Sequence, residues 1–346
     1  MSPRPAPEQL LPWALSVLSI SHTDASSALE TVAGDASARR YFRFVAQGRN
    51  YVLAEAPPAT EKNEAFVSVA ELLRAAGIKV PAVLGADFQR GFLLLEDLGD
   101  QVLLPLLDNH TASGYYQQAF DVLVLMAQVK TADAGLGRYD RALLGEELGR
   151  FQAWFVHELL GYTLDASEQA LLDNLYAALI DTALAQPQVL VHRDFHSRNL
   201  MLTGANELAV IDFQDAVIGP ITYDLVSLLR DCYIQWPAAQ VRDWALAYRE
   251  LRYSRGLATD IEPQQFLRWF DWMGLQRHIK VLGTFARLYL RDGKSAYLKD
   301  LPLVIHYVLE ISQQYADEEP VFAEFHNWFS LRLSPLIAQQ PWSEAT

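Results

Sequence analysis

The stretch QVLVHRDFHSRNLMLTGANELAVIDFQDA, residues 188–216, gathers two histidines, three aspartates and two asparagines between apolar, strand-like runs. His192 and Asp194 stand two apart, so on an extended segment their side chains would point the same way. Asn199 follows five residues after Asp194, and Asp212 ends the next apolar run. Asp194 offers a carboxylate to the proton of a hydroxyl group, while Asn199 and Asp212 offer an amide oxygen and a carboxylate to a hard cation. Mg2+ keeps several waters and takes one or two protein oxygens together with substrate phosphates. A cation bridging phosphates and a carboxylate facing an alcohol are the equipment of phosphoryl transfer. Singly, each of these residues is ordinary loop chemistry; only the set, in this order, points to a reaction.

Two strands have to bring these groups to one mouth. VLVH and LAVIDF flank the polar positions, and Pro187 ends the helical run LDNLYAALIDTALAQP before them. Upstream, RRYFRFVAQGRNYVLAEAPP alternates as two strands joined by a turn at Gln47-Gly48. The next run carries Phe66, Val69, Leu72 and Leu73 at helical spacing and stops at Gly77. VLGADFQRGFLLLEDLGD reads as a further strand pair. Beyond about residue 100 the pattern turns helical, near 113–130, 141–184, 238–255, 263–291 and 300–316. These spacings predict an α+β protein of two lobes, a β-rich N-lobe over residues 1–98 and a mostly helical C-lobe over residues 99–346.

Composition narrows the partners. At 51% hydrophobic and 20% charged, the 346 residues can bury two cores. A net charge of -14 repels nucleic acid and anionic lipid, so an anionic ligand needs a local basic pocket. No apolar run approaches the roughly 18 residues of a membrane span, and no signal-peptide pattern opens the chain. One cysteine, Cys232, leaves no intramolecular disulfide and reads as a buried, inert thiol in a reducing cytoplasm. Neither nucleic acid nor membrane is expected as a partner; the oligomeric state is open.

H-x-D-x-x-x-x-N followed by an apolar run ending in IDF resembles the catalytic and metal loops of kinases. His196, two residues after Asp194, makes the motif similar to the D-x-H-x-x-N of aminoglycoside and choline phosphotransferases. Only 12 residues separate Asp212 from Asp224, with DFQ for D-F-G and no A-P-E, leaving no room for a peptide-docking activation segment. The chain thus resembles the aminoglycoside-phosphotransferase-like small-molecule kinases, with their protein-kinase-like two-lobe fold. GDASARRYFRF, GFLLLEDLG and MGLQRHIKVLGTFARLYLRDGK make it most similar to the anomeric N-acetylmuramate/N-acetylglucosamine 1-kinases of cell-wall recycling.

That resemblance implies ATP and Mg2+, an amino-sugar acceptor, Asp194 as the catalytic acid-base group, and Asn199 and Asp212 as metal ligands. It implies structural roles for His192 and for Asp224, which also reads as a helix N-cap before LVSLL. It sets Glu96 and Leu98 in the hinge strand whose backbone meets adenine. The third-strand lysine of kinases would fall near Ala54, where none stands. Ser37, Arg39 and Arg40, in the place of the phosphate loop, are the candidates to replace it, Arg40 before Arg39. Arg43 lies farther along the strand, and Glu64 and Glu71 are the helix acids in view. For the acceptor, Arg277, Lys280, Arg287 and Arg291 share one side of a helix. Arg277 and Lys280 are the expected contacts to an anionic sugar; the alternative is a solvated stripe. Trp269 and Trp272 fit either a sugar platform or the core. Rival functions are a kinase for another small alcohol, of aminoglycoside or choline type, and a nucleotide-binding pseudoenzyme.

Overall fold

The computed structural model describes residues 5–25, 28–32, 39–131, 135–257 and 261–343. They form two compact units, Met1–Leu125 with Arg198–Ala216, and Met126–Ser197 with Val217–Thr346. Residues 198–216 thus group with the N-terminal part, which a single boundary at Leu98–Gly99 does not express.

In chain order, α1 (Leu10–Leu18) precedes β1 (Glu30–Val32), β2 (Arg40–Ala46) and β3 (Arg49–Glu55). Then come α2 (Asn63–Ala75), β4 (Val83–Asp87), β5 (Phe92–Glu96) and α3 (Ala112–Gln128). The five strands make one antiparallel sheet in the order β1-β2-β3-β5-β4. The β2–β3 turn falls at the expected place, with Gln47 and Gly48 both at positive φ, which matches the twist of a tight hairpin. Phe42, Phe44, Leu53 and Leu94 point to one sheet face and pack with Leu10, Ala14 and Leu15 of α1. On α2, Phe66, Val69 and Leu73 are buried, and Gly77 at φ 82 stops the run as expected.

The helical unit begins with α4 (Arg141–Arg150), which continues as a π-helical stretch, Phe151–Leu159. The single pattern read over 141–184 is broken: Gly161 turns at φ 66, and Asp165 starts α5 (Ala166–Leu184) with a capping box, its carboxylate accepting the Ser167 and Glu168 N–H groups. β6 (Gln188–Val191) follows, then β7 (Leu200–Leu202) and β8 (Leu208–Val210), which pair with each other in the first unit. There the Leu103 N–H bonds the Leu200 carbonyl and the Val210 N–H bonds the Lys79 carbonyl, 2.8 and 2.9 Å. Back in the helical unit, β9 (Val217–Pro220) pairs with β6. After it come α6 (Tyr223–Leu229), α7 (Ala238–Ser254), α8 (Pro263–Asp292), α9 (Leu301–Gln314), α10 (Pro320–Trp328) and α11 (Ser334–Ile337). The last two lie beyond the patterns read from sequence, because runs of nine and four residues are too short to show a helical period. No helix among the described residues is long and apolar enough to cross a membrane.

Candidate active site

The loop that carries Asp194 is pinned by acids. The Asp224 carboxylate accepts the His192 N–H at 2.6 Å and the Arg193 N–H at 3.0 Å. Further on, Asp231 accepts the Ser197 N–H at 3.0 Å and its hydroxyl at 2.5 Å. Between these anchors the backbone is not extended: Arg193 sits at φ 79, the Asp194 N–H donates to His192 Nδ1 at 3.2 Å, and the His196 N–H returns to the Asp194 carbonyl. His192 therefore shapes the loop instead of pointing alongside Asp194. Asp224 is no N-cap either; Thr222 precedes α6, and the Asp224 carboxylate turns to the loop. Burial pushes its carboxyl up to about 6, against the pull of the His192 ring and the two backbone donors.

Burial alone would raise the Asp194 carboxyl as well. Lys280 foremost, then His196, Arg277 and Arg193, more than offset this and hold it well below the usual carboxylate range. At neutral pH it is an ionised acceptor for a hydroxyl proton. The cations are themselves fixed: Arg277 Nε donates to Ser227 Oγ at 2.5 Å, and Lys280 Nζ to the Tyr223 hydroxyl at 2.9 Å.

Glu147 of α4, fully buried, ties this field together. It pairs with Lys280 at 3.1 Å, with Arg193, and with the Tyr139 hydroxyl. Desolvation opposes its charge, yet Lys280 and Arg193 keep its carboxyl below the usual range. The pairing depends on a close helix approach. A Cβ on Gly283 of α8 would lie 2.2 Å from the Arg150 carbonyl carbon, so only glycine fits there, and Lys280 and Glu147 each sit about one turn before that point.

The basic stripe read on this helix is accordingly two things. Arg277 and Lys280 are buried at 3% and 7% exposure, while Arg291 is exposed and paired to Asp292. Trp272 is core, packed on Phe322 and Tyr315; Trp269 is half-buried. Cys232 is buried, and burial pushes its thiol up to about 12, which fits an inert residue.

The other candidate residues fall in the first unit. The Ile211 N–H bonds the Asn199 carbonyl at 3.0 Å, tying the residue before Asp212 to Asn199. Asp212 is exposed, at φ 63, with the Gln214 amide donating to its carboxylate at 2.8 Å. Among the described residues no three or more His, Cys, Asp or Glu gather as a metal cluster. A cation here would rest on Asn199, Asp212 and substrate oxygens, a donor set that fits Mg2+. The Glu96 side chain is committed to Lys79 at 2.6 Å and to the Ala82 N–H, so only backbone there suits a base. Leu98, half-buried, follows Asp97, which Arg43 clamps together with Asp100.

Ser37 lies outside the described residues. Arg40 faces α1: it pairs with Glu55 at 2.5 Å, lies over Phe42 and bonds the Pro5 carbonyl. That face is opposite to Ala54, because Arg40 registers with Glu55 and Tyr41 with Ala54. Arg39, not Arg40, is on the Ala54 side. Glu64 and Glu71 are exposed, and the acid beside Arg39 is Glu61.

Sequence reasoning missed Glu147, Asp231 and Glu61. Glu147 had a signal: an acid between Leu144 and Phe151 on an apolar helix face is out of place unless paired. Asp231 and Glu61 carry none, since their partners are distant in sequence or lie on another strand.

The sequence signature of the phosphotransferase enzyme family matches residues 28–258. The N-acetylmuramate/N-acetylglucosamine kinase of Pseudomonas putida is 43% identical over 286 residues, 83% of this chain and 84% of that protein. The protein of the same name from Neisseria meningitidis is 39% identical over 299 residues, 85% of this chain and 89% of that one. Among solved structures, the Plasmodium vivax ethanolamine kinase matches at a TM-score of 0.62 and 12% identity, over 87% of this chain and 84% of its own; that likeness is one of fold.

Proposed function

The chain belongs to the phosphotransferase enzyme family, and on that premise we propose that it transfers the γ-phosphoryl group of ATP to the anomeric hydroxyl of N-acetylmuramate or N-acetylglucosamine, in cytoplasmic recycling of cell-wall amino sugars. The reaction is supported by the named relatives. The observation that carries the acceptor is the pair of buried cations, Lys280 and Arg277, acting on Asp194.

In this reading Asp194 accepts a hydrogen bond from the anomeric hydroxyl and aims its oxygen. A carboxylate held this low is a weak base, so it takes the proton only as the new P–O bond forms and the bond to the departing ADP oxygen breaks. Lys280 and Arg277 favour an acceptor with an anionic substituent, such as the lactyl carboxylate of N-acetylmuramate. The same cations disfavour the cationic acceptors of a choline or aminoglycoside kinase. Asn199 and Asp212 hold Mg2+, which when bound neutralises phosphate oxygens. The Glu96–Leu98 backbone receives the base.

Incubation with Mg-ATP and each sugar, followed by phosphorus NMR, is expected to give the 1-phosphate; a 6-phosphate, or no product, overturns the proposal. Lys280→Met or Arg277→Met is expected to lower kcat/KM for N-acetylmuramate about 10- to 150-fold, the worth of one charge-assisted hydrogen bond. N-acetylglucosamine, lacking the carboxylate, should lose clearly less, only what the weaker field on Asp194 removes. Measuring both sugars on one preparation cancels any folding defect, and equal losses would remove the cations from acceptor recognition.

A further inference from the structure

On β3, the position of the absent lysine is Ala54, fully buried and registered opposite Tyr41 of β2 and Leu93 of β5. Side chains alternate along a strand, so Tyr41 shares the Ala54 face, and Arg39, two residues before Tyr41, comes to the same side. Arg39 is buried at 4% exposure. Its guanidinium lies over the Phe66 ring of α2, 4.8 Å from the centroid, and 3.4 Å from the Glu61 carboxylate. The Arg39 charge acts on the buried Tyr41 hydroxyl, as does that of Asp212. Phe66 in turn stacks on Phe213, the residue after Asp212, at 4.8 Å.

Arg39 is thus joined through one pair of stacked rings to the loop proposed to hold the metal. A buried cation needs an anionic partner, and Glu61 supplies it at the start of α2. A guanidinium presents five donors in a planar fork, so it can keep a carboxylate on one edge and meet a phosphate on another. A lysine ammonium reaching from Ala54 would approach from the same face. Arg40, one residue on, cannot do so, because it is held on the α1 side by Glu55.

We propose that Arg39, held by Glu61, supplies the phosphate-binding cation that a third-strand lysine and its helix glutamate supply in other kinases. The cation comes from the neighbouring strand instead of from β3. The assignment rests on the phosphotransferase reading above and adds how its nucleotide phosphates are gripped.

Calorimetric titration without any acceptor tests it, using the magnesium complex of a non-hydrolysable ATP analogue and, separately, AMP. Arg39→Ala is expected to weaken the triphosphate about 10- to 150-fold and AMP less than about threefold. Arg39→Lys should recover part of the loss, Glu61→Gln should show a smaller loss, and Arg40→Ala should bind both as the wild type does. Ala54→Lys in the Arg39→Ala background should restore triphosphate affinity, with the melting temperature followed to confirm folding. Equal binding by wild type and Arg39→Ala overturns the assignment. So does an equal loss for triphosphate and AMP, which marks a structural arginine, or a loss that appears in Lys62→Ala, the exposed lysine paired with Asp215, and not in Arg39→Ala. A wild-type protein that binds neither nucleotide sinks the phosphotransferase reading and this assignment together.

Discussion

The charges around Asp194 and the charge at Asp212 follow opposite rules. Around Asp194, acids and cations close on one another: Asp224 and Asp231 hold loop backbone, and Glu147 holds Lys280 and Arg193. At the proposed metal loop, Asp212 is exposed, its carboxylate accepts the side-chain amide of Gln214, and its backbone is in the left-handed region. A carboxylate that must orient a neutral hydroxyl needs its field fixed before the substrate arrives. Oxygens that receive a hydrated cation and a polyanion gain from remaining open to water until then. The first region should therefore couple function to stability, and the second should not.

The largest effect expected is on turnover, and it occurs in both regions. Asp194→Asn should lower kcat about 10²- to 10⁴-fold, the range of a positioned acid-base group, with nucleotide affinity within about twofold by calorimetry. Asp212→Asn should lower turnover similarly and raise the Mg2+ concentration needed for half activity, while the melting temperature stays within about 1 °C, as for a surface substitution. A large drop in melting temperature for Asp212→Asn would erase the contrast.

Next comes Glu147→Gln, which leaves Lys280 and Arg193 without their buried countercharge. Breaking such a pair costs about 3–5 kcal/mol, measurable by urea unfolding, and should be accompanied by a higher KM for N-acetylmuramate. Unchanged stability would show that the network is looser than its geometry.

Asp224 gives a smaller, pH-dependent term. Its carboxyl titrates near 6 in the folded chain, above the usual carboxylate value, so the folded state keeps the proton where the unfolded chain has lost it. The stability of the wild type relative to Asp224→Asn should therefore be greatest near pH 4, fall by about 1–3 kcal/mol as pH rises through 6, and stay level above 7. A relative stability that rises over this window would reverse the assignment. Smallest of all, Arg291→Ala removes an exposed, solvent-screened pair and should leave the melting temperature and both sugar activities as in the wild type.

Legibility in the sequence follows separation along the chain. Features of local order stand out: Asp194, Asn199 and Asp212 are spaced along one short stretch, and the β2–β3 hairpin announces itself by alternation and Gln47-Gly48. Features that depend on partners far apart in the chain do not. Glu147 and Lys280 meet only because two helices cross, and the choice between Arg39 and Arg40 turns on strand register and on which face α1 covers. Adjacent arginines look alike in a string of letters; a pleated strand sends them to opposite sides. The break at Gly161 and Asp165 was legible in principle, since a capping box has a sequence signature, but the surrounding helical pattern concealed it.

Glycine in this fold also bears on how the protein can be engineered for heat tolerance. Exchanging helix glycines for alanine is a common route to a higher melting temperature, because the unfolded chain loses conformational freedom. At Gly149, where an added methyl group would meet nothing within 4 Å, the exchange should add about 0.5–1 kcal/mol. At Gly283 the same exchange would drive α8 off the Arg150 backbone and draw Lys280 away from Glu147. A thermostable variant chosen on helix propensity alone would then gain at one glycine and lose its acceptor-side charge at the other.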